Sequence, residues 1–167
     1  RTAISFLKIF EFSDGKDPAE YAFVPLMAPD DSYSAYFNSS AVTQNGVFGV
    51  TVQSWDYFYP ESDCYDSETD CVAKGDGYSI YNSTVLVYDV SGEGQYESVP
   101  VKITENSRTL DYDNKIIANG TTFWYTDCER KGVDEKDREL LYCYAVPVDV
   151  KDPAKPVKGK KVNIPAR

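Results

Sequence analysis

The sequence predicts an all-β fold: an antiparallel barrel or curled sandwich of about eight to ten strands, with little helix. Three observations carry that prediction. Tight turn signals recur between apolar runs, among them Gln44-Asn45-Gly46 and Asn119-Gly120. Aromatic residues make up 14% of the chain, with 14 Tyr, 8 Phe and 2 Trp, ring types that suit a pleated, half-buried surface. Several runs between the turns alternate with a period of two, as in Val85 and Val87 against Thr84, Leu86 and Tyr88. A barrel, or two sheets curled into one, is preferred to a plain open sandwich. With 167 residues the chain fits a single β domain over residues 1–150, followed by a basic, Pro- and Lys-rich extended tail over 151–167.

Taken in order, Thr2 to Phe12 is apolar on both faces and reads as a covered strand, ended by the turn residues Ser13 to Pro18. Tyr21 to Met27 reads as an edge strand, because Pro25 has no N–H to give a ladder. Ala35–Thr43 and Val47–Phe58 form a hairpin around Gly46. Residues 60–77 form an acidic excursion. Tyr78–Val90 is a long strand that turns at Ser91 to Gly94 into Tyr96–Ile103. Lys115–Ala118 and Thr121–Tyr125 make a second hairpin through Asn119-Gly120. The charged stretch Val133 to Glu139 is expected to make a helical turn or two, and Glu139–Val150 the last core strand.

Four cysteines stand in two close pairs, Cys64/Cys71 and Cys128/Cys143, with no histidine in the chain. An even count at such spacings reads as a disulfide framework with three possible connectivities. Cys64–Cys71 and Cys128–Cys143 are favoured, since each pair brackets a polar excursion between strands. Loops of these lengths are worth about 2.5–3 kcal/mol each. The spacings differ from zinc knuckles and no His completes a ligand set, so zinc is not expected.

Disulfides, together with the sequons Asn38-Ser-Ser, Asn82-Ser-Thr and Asn119-Gly-Thr, point to a secreted, extracellular glycoprotein. The chain begins at Arg1, read as a processed form. No run reaches the roughly 20 apolar residues of a membrane-spanning helix.

The net charge is −10, but six of the 17 basic residues lie from Lys151 onward, against Asp152 alone among the 27 acidic ones. An acidic body argues against nucleic acid as a partner. The tail reads as solvated, folded back on that body or docked on an anionic partner.

No catalytic residue, metal ligand or cofactor is assigned. Without His there is no Ser/His/Asp set, and no G-x-S-x-G elbow or phosphate loop occurs. Asp66-x-Glu68-x-Asp70 opens like a calcium loop, yet Cys71 replaces the turn glycine and Gly77 the closing carboxylate. The aromatic clusters are the remaining candidates. Trp55-Asp-Tyr57-Phe-Tyr59 and Phe123-Trp124-Tyr125 each set adjacent rings on opposite faces of a strand, so each cluster offers some rings to the core and others, among Trp55, Tyr57, Tyr59, Trp124 and Tyr125, to a partner.

The opening strand Phe6-Leu-Lys-Ile-Phe-Glu-Phe12, Cys64-x6-Cys71 and Cys128-x14-Cys143 give the chain a make-up that resembles small secreted effectors and host-selective necrotrophic toxins of plant-pathogenic fungi. The resemblance implies a virulence protein that binds a host protein without catalysis, and it carries over no binding residues. Leu110-Asp-Tyr-Asp-Asn-Lys-Ile-Ile117 is similar to a late strand of lipocalins, which implies a barrel carrying a small apolar ligand. The Gly-x-Trp motif expected near a lipocalin's start is missing, and the first Trp is Trp55. The expectation is therefore a secreted, non-enzymatic effector or toxin that binds a host protein, with the small-molecule carrier as the alternative.

Overall fold

A computed structural model of the chain describes residues 5–11, 15, 19–26, 34–58, 62–64, 71–73, 78–91, 96–107, 114–136 and 139–165. The strands are β1 (Ser5–Glu11), β2 (Ala19–Leu26), β3 (Ser34–Val42), β4 (Val47–Phe58), β5 (Ser62–Cys64), β6 (Cys71–Ala73), β7 (Tyr78–Asp89), β8 (Val99–Ser107), β9 (Lys115–Asn119), β10 (Thr122–Val133), β11 (Glu139–Asp149), β12 (Val157–Lys158) and β13 (Val162–Ile164). No helix occurs among the described residues.

Residues 1–31 form one compact unit and residues 32–167 another. In the first, β1 and β2 make an antiparallel hairpin with a register shift between Ile9 and Phe10. Pro25 stands opposite Phe6 on β2, which among the described residues pairs with β1 alone. An edge position of this kind tolerates the missing N–H.

The second unit is built on two antiparallel sheets. The first has the order β3-β4-β7-β8; the second has the order β12-β11-β10-β9, with β13 also on β11. Both hairpin signals in the sequence fall at turns: Gly46 (φ 74°) joins β3 to β4 and Gly120 (φ 61°) joins β9 to β10. These are left-handed conformations that glycine adopts without a Cβ penalty.

The core lies between the sheets. Val47, Val85, Val87 and Val101 of the first pack with Ile116, Phe123, Tyr125, Tyr144, Val146 and Val148 of the second, and with Val150 just beyond it. The outward face of the first sheet's centre is buried as well, through Phe48, Val50, Val52, Leu86 and Tyr88. The period of two in β7 therefore sorts side chains onto two covered faces.

The sheets form a curled sandwich, and the barrel is not closed. Where β3 meets β9, side chains replace a ladder: Asn38 Nδ2 donates to Asn114 Oδ1 (3.1 Å), and the Ile116 N–H donates to Ser39 Oγ (3.2 Å). The reason lies in β3, whose register breaks between Phe37 and Ser40. A bulge of this kind bends a strand and ends regular pairing. At the opposite side, Lys158 Nζ donates to the Lys102 carbonyl across the gap to β8 (2.7 Å).

Two expectations need correction. Residues 134–136 form a turn rather than helix, since β10 and β11 are the arms of one long hairpin; residues 137–138 lie outside the described residues. The strand predicted over Tyr96–Ile103 begins only at Val99 and runs on to Ser107. The tail adds β12 and β13 to the edge of β11, at Asp149↔Val157 and Ala145↔Val162. It is interrupted at Pro147, whose carbonyl accepts from Gly159 N–H (2.8 Å) on that same edge, where proline offers no N–H in return.

Candidate functional site

The register of the second sheet sorts its aromatic cluster. Phe123, Tyr125 and Asp127 point to the core with their partners Val148, Val146 and Tyr144, so Trp124 and Thr126 point away with Pro147 and Ala145. Tyr125 is fully buried and offers no surface to a partner. Trp124 is half-buried on the outer face, between Ile117 of β9 and Pro147 of β11.

That outer face is the candidate site. Along β11 its successive positions are Leu141, Cys143, Ala145 and Pro147. A sheet face turned to solvent ordinarily alternates to polar residues at these positions. Neighbouring strands continue the apolar character: Ile117 and Trp124 on one side, Val162 and Ile164 on the other. Ile117 is 58% and Leu141 51% exposed, and Val157, Val162 and Ile164 are also open to solvent.

The base of the face is stiff. Cys128 and Cys143 stand directly opposite each other on β10 and β11 and are joined by a disulfide, Cα atoms 4.0 Å apart. Beneath it, Tyr125 OH donates to Asp127 Oδ2 (2.7 Å) and the Cys128 N–H to Asp127 Oδ1 (2.7 Å). Burial first, then the Asp127 charge, push the Tyr125 phenol far above its ordinary value. From the tail, Lys161 Nζ sits 3.5 Å from the Tyr144 ring centroid, and Tyr142 OH bonds Asn163. The basic tail thus spends at least two of its lysines, 158 and 161, on holding β12 and β13 in place.

The other predicted residues are scattered. Trp55 is half-buried on β4, opposite Tyr81; the side chain of Tyr57 and all of Tyr59 lie outside the described residues. Cys64 and Cys71 are register partners at the end of the β5–β6 ladder. The Asp66-x-Glu68-x-Asp70 run lies outside the described residues. Among described residues, no group of three or more His, Cys, Asp or Glu comes together to hold a metal.

The three sequons differ in setting. Asn119 is exposed at the β9–β10 turn. Asn82 is half-buried in the middle of β7. Asn38 is exposed, but its amide nitrogen, the atom a glycan would occupy, is engaged with Asn114.

Sequence reasoning missed the apolar outer row of β11 and the buried Tyr125–Asp127 pair. The row stands at a spacing of two as Leu141, Cys143, Ala145 and Pro147, but β11 is apolar on both faces, so its sequence reads as one continuous core strand. Asp127 carried no signal, since its burial depends on the opposite sheet. At Gly49 the two sheets approach so closely that the Phe123 ring occupies the place of a side chain. No family model, curated protein or solved structure matches this chain.

Proposed function

We propose that this chain is a secreted, non-enzymatic effector or toxin that acts by binding a host protein. Its contact surface is the outer face of the second sheet. The observation that carries the reading is the apolar outer face of β11, where exposed Leu141 and half-buried Cys143 and Pro147 stand around buried Ala145, with exposed Ile117, Val162 and Ile164 beside them. Contiguous apolar surface of this kind is what protein-binding sites expose and what other soluble surfaces avoid. Trp124 supplies the aromatic anchor such surfaces favour, and the disulfide across β10 and β11 pre-organises the base at little entropic cost on binding.

The test is infiltration of the purified chain into leaves of a panel of plant lines, with an Ile117→Lys variant alongside. A line-specific response lost in a variant of unchanged melting temperature supports the reading. No response in any line, or equal responses from both proteins, counts against it.

A further inference from the structure

The core-facing side of the first sheet is apolar at one end and polar at the other. Val47, Val85 and Val87 fill the first end; further along the same face stand Thr51, Gln53 and Ser83. Gln53 is the register partner of Ser83 on β7, and Ser83 is in turn the partner of Thr104 on β8. Three polar side chains thus stand at neighbouring register positions across three strands, with register shifts on either side of the Ser83–Thr104 pair.

Gln53 is 4% and Ser83 1% exposed. Each member of the row keeps an atom shut off from solvent and without a hydrogen-bond partner: Gln53 Nε2, Ser83 Oγ and Thr104 Oγ1. From the opposite sheet, the Tyr125 hydroxyl comes near enough for Ser83 to favour its ionised form. That hydroxyl donates its proton to Asp127 and keeps lone pairs that could accept from Ser83, but the geometry closes no bond to Ser83 Oγ. One such orphan in a core would be an isolated cost. Three on adjacent register positions form a set, because buried polar groups in folded proteins are nearly always satisfied.

We infer that this row is a built-in binding site for an ordered water molecule held jointly by Gln53, Ser83 and Thr104. Water fits the chemistry of all three: it accepts from the Gln53 amide and exchanges donor and acceptor roles with two hydroxyls. A buried water typically makes two to four such bonds, roughly the number offered here. Exchanging the nitrogen and oxygen of the Gln53 amide would not remove the need, since the carbonyl oxygen would then take the unpartnered place. An apolar ligand would leave all three groups bare.

The experiment is a high-resolution crystal structure of the intact chain, paired with water relaxation dispersion in solution. A single water within hydrogen-bond distance of all three atoms is expected. So is the loss of one long-lived water in a Ser83→Ala/Thr104→Val double variant, whose side chains nearly keep the native shape. Direct bonds among the three side chains with no water between them would overturn the inference. So would a larger molecule in the site, or an unchanged long-lived water count in the double variant. The crystallographic arm needs no variant, so a double variant that fails to fold leaves the inference open to refutation.

Discussion

At Gly49 the two sheets come so close that a Cβ would lie 2.7 Å from the Phe123 ring. Phe123 is fully buried and has no room to retreat. Gly49→Ala should therefore cost about 1–3 kcal/mol by overpacking, read as a lower urea midpoint at unchanged slope. On the same core-facing side of β10, Asp127 accepts the Tyr125 hydroxyl and the Cys128 N–H. Asp127→Ala leaves that hydroxyl buried without its acceptor, at a cost of about 2–3 kcal/mol in the same measurement. Tyr125 also sets an alkaline limit. Its folded pKa is raised above the ordinary 10.0, so the unfolded chain releases this proton first. The associated stability is fully present below pH 10 and is lost as the pH rises further. Tyr125→Phe should be less stable at neutral pH but show a shallower decline above pH 10, followed by chemical denaturation across that range. A wild-type decline no steeper than the variant's would refute the assignment.

Among the elements, the β10–β11 hairpin and the tail strands respond to different changes. The Cys128–Cys143 bond closes a loop of sequence separation 15, and Cys128→Ser/Cys143→Ser should cost about 3 kcal/mol, as expected for a loop of that length. The tail is held by two short ladders and by Lys161 over the Tyr144 ring. Lys161→Gln should cost about 0.5–2 kcal/mol. Removing residues 157–167 should cost more, because it uncovers Tyr144 and strips the edge of β11; equal midpoints for the two variants would mean that β12 and β13 add nothing. The hairpins at Gly46 and Gly120 were legible in the sequence because a left-handed glycine between β-rich runs is a local signal. The tail strands were not, since Val157-Lys158 and Val162-Asn163-Ile164 are too short to announce a ladder. Only the backbone of β11 completes them. The helical turn expected after Val133 failed for a different reason: a charged stretch favours helix by propensity, but the long β10–β11 ladder that closes at Val133 and Glu139 overrides it.

For the whole molecule, fold class and cross-linking followed from the chain's own chemistry. Aromatic and β-branched residues at a spacing of two, punctuated by Asn-Gly turns, leave little besides antiparallel β structure. Cys128 and Cys143 bracket a hairpin whose register brings them face to face. Closure was a different matter. Whether two sheets meet as a barrel depends on edge strands far apart in sequence, and the break in β3 at Phe37–Ser40 leaves Asn38–Asn114 and Ser39–Ile116 bonds where a ladder would run. The candidate site was divided in the same way. That Trp124 and Tyr125 face opposite sides was readable from their adjacency; which of them faces out was decided by the first sheet, which covers Tyr125 and not Trp124. Alternation along a strand is a local property of the pleat, so sequence alone determined it. Burial is a property of what packs against the strand, so only the tertiary structure could decide it.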